Sequence, residues 1–219
     1  MAAGKENASP RLPAGRHGLP REFVVQNQRE RIVTALVDVV AERGYHATTV
    51  ANITKAASVS RRTFYEHFAD KEACFLAAYE MVAEHIATSM RTAAEAFDEW
   101  PQKVRAALAT MLRFLAGEPE LARLCMIEPI AAGSEIAARH RASMQGLVEI
   151  LKAGRPEHGG EHPLPGATEE ALVGGIVSLI IREISAGRTE QLESLLPDLV
   201  ELTLGPYVGA EEAERLARQ

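Results

Sequence analysis

Residues 48–72 of this chain, TTVANITKAASVSRRTFYEHFADKE, gather side chains suited to one kind of chemistry, the reading of a polyanion. Arg61 and Arg62 are adjacent cations, and Tyr65 adds an aromatic ring with a hydroxyl donor on the same short predicted helix. A guanidinium fork pairs with the acceptor edge of guanine or with phosphate oxygens, so this helix face fits the major groove of DNA. Thr48 and Thr49 open the preceding helix, where a hydroxyl can donate to a phosphate. Lys71 stands at the amino end of the following helix, where its ammonium and the first backbone amides could grip one phosphate. The arginines suit bases and phosphates equally.

Other chemistries find little support. His158, Glu161 and His162 fall in a Gly/Pro loop without cysteine or further nearby ligands, so no metal site is expected. His85 and His140 read as helix-surface or pocket-lining groups. Serine, histidine and aspartate are present, but neither a GxSxG elbow nor a Walker loop accompanies them, so neither catalysis nor a cofactor is expected. Gly174 and Gly175 lie inside an apolar helix, which favours close helix packing over a phosphate loop.

The elements that must position the cations can be traced from caps and periodicity. Val25, Ile32, Leu36, Val39 and Val40 recur at helical spacing over residues 22–43, and Gly44 stops that helix. Thr49 caps a second, short helix with Val50, Ile53 and Ala57 on one side. Ser60 caps the third. Val59 before the cap and Phe64 at the fourth helical position form a hydrophobic staple, and Phe64 with Phe68 turns one face inward. Asp70 caps a fourth helix reaching to about Phe97. Further helices are expected over 101–117, from Pro119 to a break near Pro129, over 134–153 with Ser134 as cap, and over 168–187 with Thr168 as cap. A last clear helix spans about 195–207, followed by a charged tail.

The helix over 168–187 is apolar around most of its circumference, and the last one carries Leu195, Leu196, Leu199, Val200, Leu202 and Leu204. Too much apolar surface for one chain implies a subunit interface, with Ile176, Ile180, Leu195, Leu199 and Leu202 as its candidates.

Composition agrees with an all-α protein: 47% of the 219 residues are hydrophobic, only 5% are aromatic, and alternating strand patterns with hairpin turns are absent. The net charge of −6 is unevenly shared. Residues 1–71 carry 11 Lys+Arg against 7 Asp+Glu, and residues 72–219 carry 13 against 23, a basic head on an acidic body. Cys74 and Cys125 are isolated in apolar helices, which points to a reducing, cytoplasmic setting. The longest apolar run free of charge, residues 171–181, is 11 residues and too short for a bilayer, and no secretory core opens the chain. Residues 1–20 read as a flexible basic arm.

Residues 28–75 resemble the TetR family of transcriptional regulators. The likeness rests on Gly44-Tyr45, Thr48-Thr49-Val50, Ile53, Ala56-Ala57-Ser58-Val59-Ser60, Thr63-Phe64-Tyr65, His67-Phe68 and Lys71-Glu72. It implies a helix-turn-helix domain of three helices over residues 21–70 and a helical effector-binding and dimerising domain over 71–219. It also adds Thr63 and His67 to Arg61, Arg62 and Tyr65 as DNA-contacting positions. Family members usually have glycine where this chain has Ser58, in the turn between the two short helices. The implied protein is a homodimeric repressor that binds a palindromic duplex operator and is released by a small apolar effector. Candidates for the effector cavity are Trp100, Met111, Phe114, Met126, Glu128 and Met144, with Glu128 placed to meet a cationic or hydrogen-bonding group. A regulator without an effector, its body solidly packed, is the alternative within DNA binding. A helical binding protein or enzyme with an incidental helix-turn-helix is the alternative outside it.

Overall fold

The computed structural model describes residues 20–154 and 164–219, so almost all of the expected arm and the loop carrying His158 and His162 lie outside the described residues. Among the described residues there are ten α-helices and no strand. They are α1 (Arg21–Arg43), α2 (Val50–Ala57), α3 (Arg61–His67), α4 (Lys71–Ala94) and α5 (Trp100–Gly117). There follow α6 (Pro119–Met126), α7 (Ser134–Lys152), α8 (Thr168–Ser185), α9 (Leu196–Val208) and α10 (Ala210–Ala217). Short 3-10 segments cover Glu128–Ile130 and Thr189–Leu195. None of these helices is long and apolar enough to cross a membrane.

The first three helices close around Ile32, Leu36, Val40, Ile53 and Phe64, all fully buried. Local sequence fixes their ends. Thr49 and Asn52 form a reciprocal capping box at the start of α2, Ser60 Oγ accepts from the Thr63 amide at 2.9 Å, and Asp70 accepts from the Ala73 amide at 2.7 Å. Val59 is partly buried against the core that contains Phe64. Val25, expected on the buried face of α1, is exposed, because the first turns of that helix run past the core.

The turn between α2 and α3 passes through Ser58 at φ 52° and ψ 46°, a left-handed conformation that no other non-glycine among the described residues adopts. The Arg31 guanidinium braces it from α1, donating to the carbonyls of Ala57 and Ser58. A Cβ in this region is strained by about 1 kcal/mol, part of which glycine's extra freedom in the unfolded chain would offset. Ser58→Gly should therefore stabilise the protein by about 0.5 kcal/mol and raise the midpoint of thermal unfolding by roughly 1–2 °C. An unchanged or lower midpoint would show that the turn is unstrained.

In the body, α4 ends at Ala94, a turn short of Phe97. Gly133 and Ala167, not Ser134 and Thr168, precede the first turns of α7 and α8. The Thr168 hydroxyl donates backwards to the Pro165 carbonyl at 2.8 Å, so it closes the loop before the helix. The expected charged tail is helix α10, whose Ala213, Leu216 and Ala217 are buried. Arg105 of α5 donates to the Leu216 carbonyl at 2.9 Å and fastens that helix to the body.

Candidate nucleic-acid interface and ligand cavity

Helix α3 is seven residues long and buries only Phe64. Arg61, Arg62, Tyr65 and Glu66 are exposed, with Tyr65 at 56%. Arg62 Nε lies 3.0 Å from Glu66 Oε1, an exposed i,i+4 pair that a phosphate or a guanine edge can displace. Arg61 has no ion-pair partner among the described residues. Thr63 is half-buried, its hydroxyl 2.9 Å from Ser60 Oγ. His67 leans on α1, with Nε2 3.3 Å from Gln28 Oε1. Burial, and next the Arg29 charge, hold its imidazole below the usual histidine range. The outward face of α3 is thus Arg61, Arg62 and Tyr65, with Thr63 and His67 at its margins.

Two expected phosphate grips are turned inward. Thr48 is 2% exposed, and its hydroxyl donates to the Gly44 carbonyl at 2.8 Å, which leaves Thr49 as the exposed threonine of α2. Lys71 Nζ donates to the carbonyls of Tyr45 and Thr48 at 2.8 and 2.9 Å and sits 3.9 Å from the Tyr45 ring centroid. Burial lowers its pKa, while the two carbonyls and the ring face favour the charged form. The amino end of α4 already holds the Asp70 carboxylate, which opposes a second anion there. Lys71 orders the α1–α2 loop and is not placed as a phosphate grip. Burial, with Glu72 and Asp70 adding to it, pushes the Tyr45 phenol up to about 12.

Further along the chain, α4, α5, α7 and α8 enclose a cavity of about 910 Å³, near the upper end of ordinary small-ligand sites. Its walls are mostly apolar, and its open side lies between α4 and α7, where the lining residues Glu80, Glu84, Arg91, Arg139 and Ile150 are exposed. Trp100, Met111, Met126 and Met144 line it as expected. Phe114 does not, since its ring packs against His85 at 5.2 Å between centroids. Glu128 does not either. It is 6% exposed and turned towards the first helices, accepting from the Tyr45 amide at 2.9 Å and from Arg123 at 3.1 Å. Its carboxylate is thereby satisfied within the protein, which overturns the expectation that it meets a ligand.

The cavity arises from small side chains in places that packing usually fills with large ones. Along α4 the lining runs Tyr79, Ala83, Ala87, Met90 and Ala94, one face at three- and four-residue spacing with alanine at three of five positions. That stripe was present in the sequence but reads there as ordinary helix surface. Polar groups sit at two places. Tyr79 donates its hydroxyl to Ser143 Oγ at 3.2 Å and lies 3.3 Å from His140 Nδ1. Among the charged lining residues, Arg91 of α4 at the open side and the half-buried Lys103 of α5 have no ion-pair partner among the described residues, whereas Arg139 pairs with Glu80 at 2.9 Å.

Three helices presenting an exposed Arg-Arg-Tyr face on the last of them, joined to a hollow helical body, define a helix-turn-helix DNA-binding protein with a ligand-sized cavity. Residues 32–78 match the family model described as bacterial regulatory proteins, tetR family. Over 151 residues the chain is 26% identical to the HTH-type transcriptional activator FasR of Mycolicibacterium smegmatis, covering 69% of each protein. The fold matches the fatty acid degradation regulator FadR of Bacillus halodurans at a TM-score of 0.73 and 21% identity, covering 81% of this chain and 95% of that one. It also matches FadR of Bacillus subtilis, solved in complex with stearoyl-CoA, at 0.65 and 23% identity, covering 80% and 97%.

Among the expected interface residues, Ile176, Ile180 and Leu199 are buried within the single chain, and Ile176 and Ile180 line the cavity. Leu195 is half-buried and Leu202 is 42% exposed. The exposed side of α8 instead has small residues, Ala171, Gly174 and Ser178, between the charged Glu170 and Arg182, and Leu202 of α9 rests beside Gly175.

Proposed function

We propose that this protein is a homodimeric, effector-responsive repressor that binds a palindromic DNA operator through α3 and is released by a long-chain acyl effector carrying an anionic head. The observation that carries the effector reading is the apolar cavity whose lining includes two cations without ion-pair partners among the described residues, Arg91 and Lys103. An acyl chain would fill the apolar walls and leave its charged head at those cations, on a body that is otherwise acidic. The relative named for fatty acid degradation and the one solved with stearoyl-CoA support the same ligand class. A body filled by its own side chains, as an effector-free regulator would have, does not fit a cavity of about 910 Å³.

Geometry supports operator binding as a dimer. One seven-residue helix reads only a few base pairs, so two copies related by a twofold axis must act together on a palindrome. The exposed small residues Ala171, Gly174 and Ser178 of α8, with Leu202 and Pro206 exposed on α9, would let a copy approach closely in a four-helix arrangement. The partner would cover on the order of 2,000 Å² in total.

Trp100 is the chain's sole tryptophan and lines the cavity, so its fluorescence reports occupancy directly. Stearoyl-CoA should change that emission saturably, and Arg91→Ala with Lys103→Ala should weaken the titration by at least tenfold while stearyl alcohol is unaffected by them. No saturable change with stearoyl-CoA or stearic acid would exclude this ligand class. The relative named an activator makes the sign of regulation a separate measurement. A reporter driven by the operator should rise when the gene for this protein is deleted, and a fall would make it an activator.

A further inference from the structure

Glu128 joins two parts of the molecule that are distant in sequence. It belongs to the 3-10 turn after α6, yet its Oε2 accepts the Tyr45 amide, 83 positions earlier, at 2.9 Å. Its Oε1 accepts from Arg123 of α6 at 3.1 Å. The carboxylate thus holds the loop that ends α1 and leads into α2. Gly44, just before Tyr45, turns the chain at a φ of 76°, a conformation that suits glycine, and so presents the Tyr45 amide to the carboxylate. The same loop is held from its other side by Lys71 at the first turn of α4. Two residues before Glu128, Met126 ends α6 with its side chain in the cavity wall. A short, rigid path therefore runs from the cavity through Met126 to a charge-assisted hydrogen bond on the DNA-binding helices.

We infer that Glu128 is the coupling residue of the protein, a buried carboxylate whose bond to the Tyr45 amide sets the position of the DNA-binding helices against the body and breaks or shifts when the cavity fills. The inference rests on the ligand-responsive reading above. Filling the cavity displaces Met126, and the 3-10 turn that follows has no slack, since Pro129 restricts it and Pro129 and Ala132 are buried. A shift of even 1 Å at the carboxylate lengthens a 2.9 Å bond beyond hydrogen-bonding distance. A ligand acts only through such a difference between two states, and this is the contact at which one would be felt.

Two variants test it in the full-length protein. Glu128→Met keeps the side chain's length and removes both acceptors, while Glu128→Gln keeps one acceptor oxygen and remains available should the first fail to fold. In ligand-free protein, amide hydrogen exchange at Tyr45 should be at least tenfold faster in E128M, with E128Q between E128M and wild type. Operator affinity should fall at least threefold with an unchanged salt slope, because Glu128 touches no phosphate. Stearoyl-CoA should still titrate Trp100 within twofold of wild type, but the ratio of operator affinities without and with it should collapse towards one. A folded variant with wild-type Tyr45 exchange and operator affinity, or with the full wild-type ratio, overturns the coupling role. Should wild type itself fail to respond to stearoyl-CoA, the acyl-effector reading falls, and the ligand-free exchange and operator affinity still decide for or against Glu128.

Discussion

Arg62→Ala should weaken binding to the operator by about 1–3 kcal/mol if its guanidinium forks onto a guanine, and the loss should depend on sequence. Its side chain is 88% exposed and tied only to Glu66, so removing it leaves the fold intact while the groove loses a donor pair. If instead Arg62 meets phosphate, the loss falls equally on all duplexes and the slope of affinity against salt drops by about one. The two outcomes separate base reading from backbone grip, a choice that residue type alone leaves open. Tyr65→Phe, which removes only a hydroxyl from the same face, should have a smaller effect. Unchanged affinity in Arg62→Ala, with helicity preserved, would take α3 out of the groove.

The second large effect concerns assembly. Leu202→Arg places a charge on the outward face of α9 without disturbing the core, since Leu202 is already 42% exposed in the single chain. Against a twofold-related copy that charge would be buried without a partner, which destabilises an interface by several kcal/mol. The variant should sediment as a folded monomer, and its operator affinity should drop by at least a hundredfold, because a palindrome then meets one half-site reader at a time. Leu199→Arg or Ile180→Asp could not make this test, since both side chains are fully buried within the chain and their replacement would unfold it. A wild-type protein that sediments as a monomer at micromolar concentration would exclude the dimer.

What could be read in the sequence was local. Thr49, Ser60 and Asp70 act as caps, and Phe64 and Phe68 turn inward, because each depends on neighbours three or four residues away. Readings that depended on tertiary direction fared differently. Thr48 and Lys71 are of the right type for phosphate, but the Gly44–Thr48 loop needs donors for its own carbonyls and takes them. Glu128 stands two residues from a cavity-lining methionine, yet an orphan amide at Tyr45 draws it the other way. On α8, apolar nearly all round, no periodicity says which side meets the core, and Ile176 and Ile180 turn out to face the cavity. Helix α10 was legible in principle, since 213, 216 and 217 have helical spacing with charges on the opposite side, but its charge-rich composition reads as a tail until α5 and α9 supply the surface that its apolar side covers. The cavity itself is a consequence of alanines on α4, and absence of bulk at one face is legible only once the facing helices are known.

The central claim joins the exposed face of α3 to the cavity some distance away in the body, and one binding measurement addresses both. Duplexes enriched by the wild-type protein from a random pool would be labelled and titrated by fluorescence anisotropy, without and with saturating stearoyl-CoA. The account predicts a palindromic consensus bound by two chains, lost in Arg62→Ala, and weakened at least tenfold when the cavity is filled. Enrichment of no common sequence, or a consensus whose affinity stays the same with Trp100 fully titrated, would contradict it.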